Sequence, residues 1–166
     1  IHPVFRYDSR VRFAWVEGFD SGNIFGEDLD GDPSTGIVRI TDGGLSGVAG
    51  KSVVTMDHPL MEVATSPVYT DLPSSGAAVF LELDYRSEIP LTVGILHHSA
   101  VSAPQSIYKL VLLPNDKWQK IYVNFTEDIF ITDASGIQII FLASFDQNLG
   151  LEQQAVYLDN IKLLHF

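Results

Sequence analysis

Along most of the chain, apolar and polar side chains alternate one by one. Val79, Leu81, Leu83 and Tyr85 fall on one parity, with Phe80, Glu82 and Asp84 on the other; Val93 and Ile95 oppose Thr92 and Gly94; Ile121 and Val123 oppose Tyr122 and Asn124. A period of two puts each set on its own side of a pleated strand. The pattern predicts strands at Phe13–Val16, Ile37–Thr41, Lys51–Met56, Met61–Thr65, Ala78–Arg86, Leu91–His98, Ser106–Leu113, Gln119–Phe125, Gly136–Ala143 and Ala155–Leu164. Turn-forming runs separate them, such as Asp42-Gly-Gly, Pro73-Ser-Ser-Gly and Pro114-Asn-Asp. No stretch carries a sustained helical period, and Pro59 confines 57–62 to a single turn. Many short strands with polar turns predict an all-β fold, an antiparallel β-sandwich of the jelly-roll type, with less than about a tenth of the chain helical. Its core is expected to contain Val79, Leu81, Leu83, Val93, Ile95, Ile121, Val123, Ile139 and Leu163.

A length of 166 residues fits one domain, read as 13–166 after an arginine-rich leader at 1–12 with Arg6, Arg10 and Arg12. With 46% apolar and 11% aromatic residues the chain is too hydrophobic for disorder. No apolar run is long enough to span a bilayer. Cysteine is absent, which removes disulfides, thiolate nucleophiles and zinc–thiolate sites. A net charge of −11 makes nucleic acid and anionic membranes poor partners.

Candidate chemistry is sparse. Six acids and no base lie between Glu17 and Asp32 (Glu17, Asp20, Glu27, Asp28, Asp30, Asp32). Asp28, Asp30 and Asp32 have the alternate spacing of Ca²⁺ ligands, but Pro33 and Arg39 break the EF-hand pattern, so a solvated acidic turn is the plainer reading. His97 and His98 are adjacent on a strand and point to opposite faces, so they cannot share a metal. No nucleophile elbow or phosphate loop occurs, and a carboxylate pair such as Glu82 and Glu127 carries little signal among 21 acids. These absences point away from an enzyme. Among the aromatics, Trp118 is expected to be packed, whereas Tyr122 stands on the polar side of its strand. If their strands share a sheet, Glu82, Lys109, Tyr122 and Gln138 form one outward face, with a ring for stacking and groups for hydrogen bonds to sugar hydroxyls.

Three stretches, in order, carry a resemblance. Glu17-Gly-Phe-Asp20-Ser-Gly22 resembles the N-terminal G-F-E/D-x-G stretch of jelly-roll carbohydrate-binding modules. Asp116-Lys-Trp118-Gln-Lys-Ile-Tyr-Val-Asn-Phe125 is similar to their mid-domain strand. Ala155-Val-Tyr157-Leu-Asp159-Asn-Ile-Lys-Leu163 is similar to their last strand. The resemblance, to galactose-binding-like sandwiches, covers about 13–166. It implies a structural Ca²⁺ at the positions matching Asp20 and Asp159, and a core position for Trp118. It also implies a non-catalytic module that binds polysaccharide in a secreted or cell-surface protein. The alternative is a structural or protein-interaction domain of a bacterial surface lipoprotein, facing other surface proteins. Either setting is extracytoplasmic, at the cell surface or in the periplasm, with lipid anchoring through a removed N-terminal segment as one form.

Overall fold

The computed structural model describes residues 10–45, 47–73, 76–132 and 135–166. Eleven strands form among them: β1 (Arg12–Glu17), β2 (Glu27–Asp28), β3 (Val38–Ile40), β4 (Ala49–Thr55), β5 (Leu60–Ala64), β6 (Val79–Ser87), β7 (Leu91–His98), β8 (Gln105–Leu112), β9 (Asn115–Asn124), β10 (Gly136–Ser144) and β11 (Gln153–His165). One helix, α1 (Thr126–Thr132), and two short 3-10 turns (Pro33–Thr35, Gln147–Leu149) complete the set. The composition is 53% strand and 8% helix, inside the limit the alternation set. Most of the 1–12 leader, and Ser74 and Ser75 of the 73–76 turn, lie outside the described residues.

The strands build two antiparallel sheets packed face to face. One runs β3-β4-β11-β6-β9, with β1 also on β11; the other runs β2-β5-β10-β7-β8. This is the jelly-roll sandwich that the strand pattern predicted. Eight of the nine expected core residues are buried, and Ile121 packs against them half-buried. They are joined by Phe19, Phe25, Phe125 and Phe141. Each fully buried aliphatic or aromatic side chain contributes about 1.5–3 kcal/mol of transfer free energy.

Two elements escaped the sequence pattern. β2 is only two residues long. α1 is rich in β-branched residues, which favour strands, but it follows directly on Phe125: the Ile129 N–H donates to the Phe125 carbonyl, and Ile129 is buried. Glu127 and Asp128 in its first turn suit the positive end of the helix.

β11 changes neighbours on one side. Gln153–Leu158 pair with β4, and Ile161–His165 pair with β1, while β6 follows along the other side. The register with β6 shifts between Asp159 and Lys162, and Asn160 takes a left-handed φ of 48°. Asparagine tolerates that conformation better than most residues. The break leaves Asp159 at a junction between strands.

Candidate functional site

The outer side of the six-stranded sheet carries a row of alternating rings and cations. The alternation of β6 turns Leu81, Leu83 and Tyr85 inward and sends Glu82, Asp84 and Arg86 out. The same parity on β9 turns Trp118, Lys120 and Tyr122 outward. Arg86 is registered against Tyr157 of β11, and Tyr157 against Lys51 of β4. The Arg86 guanidinium lies 4.0 Å from the Tyr157 ring centre and 5.7 Å from that of Trp118, and the Lys51 ammonium is 5.4 Å from Tyr157. Each such contact stabilises by about 0.5–1 kcal/mol when exposed. Trp118 is therefore half-buried on the outer face and absent from the core, contrary to the packed position expected of it. It follows the parity of Lys120 and Tyr122, and a register shift between Tyr85 and Ser87 sets it beside Arg86.

The next rows along the face are ionic. Glu82 is 1% exposed; its Oε1 accepts from Lys162 Nζ at 2.7 Å and Lys120 Nζ at 3.0 Å. Asp84 Oδ2 accepts from Lys120 Nζ and Asn160 Nδ2, both at 3.0 Å. Burial pulls the Lys120 ammonium down, but the Asp84 and Glu82 carboxylates outweigh it and the net shift is upward. Tyr122, opposite Glu82, is 54% exposed.

The four expected ligand residues do not share one face. Glu82 and Tyr122 stand on the six-stranded sheet, while Lys109 and Gln138 belong to the five-stranded one. Gln138 is 1% exposed, with Oε1 2.6 Å from His98 Nε2 and Nε2 donating to the Thr65 carbonyl at 2.5 Å. Lys109 sits where the β7–β8 register shifts, since Val93 pairs with Leu110 and Gly94 with Tyr108. This bulge takes Lys109 out of the alternation, and its ammonium pairs with Asp128 at 2.7 Å. Lys109 and Tyr122 nevertheless both line a hollow of about 290 Å³ at the seam of the two sheets, with Leu110, Asn124 and Glu127.

On the outer side of the five-stranded sheet, Ala64, Leu96 and Ile140 form a small second cluster under Leu29. The Tyr108 hydroxyl donates to Glu62 Oε1 across it. Burial, then Glu62, pushes the Tyr108 phenol up to about 12.

Asp20 and Asp159, the expected Ca²⁺ residues, come near each other. Asp159 is buried at the β11 junction; its Oδ2 accepts the Leu45 N–H at 3.1 Å and its Oδ1 the Asn160 N–H at 2.7 Å. Burial pushes its carboxyl up; the two N–H groups pull it back, and nearby Asp84 and Asp20 push it up again, for a net rise. The carbonyls of Phe19 and Asp20, which could have turned toward an ion, accept instead from Arg39 Nε at 2.5 Å and Nη2 at 2.8 Å. Glu17 holds the same loop from within, accepting the Phe19 and Ile24 N–H groups at 2.6 and 2.8 Å. Among the described residues no three His, Cys, Asp or Glu side chains are arranged to hold a metal. Ca²⁺ takes six to eight oxygens; the Asp159 carboxylate and the Phe19 and Asp20 carbonyls are already hydrogen-bonded, while the Asp20 carboxylate lies close enough to push Asp159 up. No sequence motif marks Arg39 for this role, because its partners are backbone carbonyls.

No family model matches the chain, and no curated protein matches it. Solved structures do. The xylan-binding CBM22-1 domain of Paenibacillus barcinonensis Xyn10C aligns with 93% of this chain and 94% of its own, at TM-score 0.63 and 13% identity. The fold is that of a carbohydrate-binding module. A family 11 carbohydrate-binding module from Clostridium thermocellum, solved with a β-1,3-1,4-mixed-linked tetrasaccharide, aligns over 84% of this chain and 93% of its own at TM-score 0.52 and 16% identity. The enzymatically active domain of bacteriophage CBA120 tailspike protein 4 contains a similar unit: 95% of this chain aligns with 20% of that one, at TM-score 0.60 and 10% identity. Among the described residues of this module-like domain, no helix is long and apolar enough to cross a membrane.

Proposed function

We propose that the domain is a non-catalytic module that binds polysaccharide along β9, on the outer face of the six-stranded sheet. The observation that carries this reading is the set of outward rings Trp118, Tyr122 and Tyr157, interleaved with the donors Arg86, Lys51 and Lys120. The apolar face of a sugar packs on an aromatic plane while its hydroxyls need donors and acceptors beside it. Trp118 and Tyr122 are four residues apart on one side of β9, about 14 Å at about 3.4 Å per residue. That span favours a polymer over a single sugar. Glu82 and Asp84, on the neighbouring β6, are tied down by lysines and Asn160, which speaks for binding rather than for the free acid pair of a hydrolase. The setting that goes with this reading is extracytoplasmic.

The test is affinity gel electrophoresis through xylan, mixed-linked glucan, galactan and polyuronates, beside melting curves. Trp118→Ala and Tyr122→Ala should each abolish retardation with the melting temperature nearly unchanged. Retardation that survives both substitutions would refute this face as the site.

A further inference from the structure

We infer that the face takes an acidic polysaccharide, and that Arg86 is the residue that grips the carboxylate of a uronic acid unit; this rests on the glycan-binding reading above. The protein has ten Lys and Arg residues against 21 acids, so carboxylates are plentiful for a cation that needs one. Lys109, Lys120 and Lys162 each hold an acid, and Arg39 holds two carbonyls. The Arg86 side chain makes no hydrogen bond or ion pair among the described residues; it meets two rings and nothing that accepts its protons. Tyr157 and Trp118 cover the guanidinium and hold it in place, leaving its N–H edge unused. A planar fork held this way matches a carboxylate, which it can meet with two parallel bonds.

A sugar hydroxyl could occupy one of those donors, but only an anion also answers the charge. The carboxylates of β6 and β11 on this face do not answer it. Glu82 and Asp84 are paired with lysines, and Asp159 accepts two backbone N–H groups. Lys51 is the second cation on the Tyr157 ring, but its hollow also holds Glu88 and Glu152. The proposal therefore stands on Arg86 alone. The net charge of −11 opposes a polyanion at long range, but at about 0.1 M salt such repulsion is screened beyond roughly 10 Å, while a close contact is not.

The experiment compares polygalacturonate, alginate and glucuronan with their methyl esters, which keep the sugar chain and remove the charge. Xylan and galactan serve as neutral controls. Intact domain should bind at least one polyuronate and bind its ester about tenfold more weakly or worse, the scale of a charge-assisted hydrogen bond. Arg86→Gln should lose that preference. Arg86→Lys keeps the charge without the fork and should recover only part of it, and melting curves check that both variants fold. Equal binding of ester and acid, or a preference untouched in Arg86→Gln, overturns the inference. Binding to neutral chains only, lost in Trp118→Ala and kept in Arg86→Gln, overturns it while sparing the glycan-binding reading. No binding to any of these chains overturns both.

Discussion

Replacing Lys120 and Lys162 together by methionine removes both ammonium groups that meet Glu82, a carboxylate only 1% exposed. Each lysine alone leaves the other in place, so Lys162→Met should cost about 1–2 kcal/mol and Lys120→Met about the same. Lys120 serves Asp84 as well, but its greater exposure screens the loss. Removing both leaves a buried charge without either cation, for which about 3–5 kcal/mol is the usual cost. The pair should therefore exceed the sum of the singles by about 1 kcal/mol, the size of coupling expected for groups in one network. Unfolding entropy near 2.1 cal/mol/K per residue, over 166 residues, comes to about 350 cal/mol/K, so 1 kcal/mol moves the melting temperature by about 3 °C. The double variant should melt about 9–15 °C lower than the parent. Adding Glu82→Gln to it removes the buried charge and should return a large part of that loss. Calorimetry on the five proteins decides it. Strict additivity of the single losses, or no recovery with Glu82→Gln, would refute the account of Glu82 as a buried counter-charge and reopen it as a ligand contact.

Other expectations follow from particular groups. Arg39→Ala should lower stability by about 1–3 kcal/mol, since it unties two carbonyls from a charged donor, whereas millimolar Ca²⁺ or a chelator should leave the parent's melting temperature unchanged; a rise of several degrees with Ca²⁺ would show that those carbonyls leave Arg39 for an ion. Tyr69, pushed up by burial and then by Glu17, and Tyr108 should ionise at about 12 in absorbance titration. The unfolded chain releases those protons near 10, so stability should fall as pH rises from about 10 to about 12, and Lys120, raised above 10.5, adds to the loss as pH climbs through its folded value. His97 is 7% exposed, and neither ring nitrogen has a hydrogen-bond partner among the described residues. His97→Leu should therefore be neutral or stabilising in denaturant melts, because it deletes a buried polar group that gains nothing; a loss above about 2 kcal/mol would show that the imidazole is held by something else.

The sequence made the layers legible and left the site partly hidden. Alternation told which side chains of β6 stand together, and it placed Tyr122 opposite its inward neighbours, because parity is local to one strand. It did not say which sheet a strand joins. β8 and β9 are consecutive yet lie in different sheets, so Lys109 and Tyr122 line a hollow at the seam rather than sharing a face. A bulge also defeats parity, as at Lys109. Asp159 was visible as an acid breaking an apolar strand, and its need for partners was readable from that position. That the partners would be the N–H groups of Leu45 and Asn160 was not, since they depend on β4 and β1 ending beside each other along β11. Trp118 failed for a related reason: hydrophobicity argues for burial, and a guanidinium laid on the ring satisfies it halfway.

The place of β11 also bears on how the chain comes to be folded. It is the central strand of its sheet and β10 is the central strand of the other, yet these are the last two strands in order of synthesis. Until they emerge, β4 and β6 on one side, and β5 and β7 on the other, have no partner between them. Unpaired strand edges of that kind invite pairing with other chains, and long-range strand pairing is slow to form. The nascent domain should stay open until its final fifth has left the ribosome and then close both sheets together. A truncation before Gln153 should therefore yield an aggregating chain rather than a smaller sandwich.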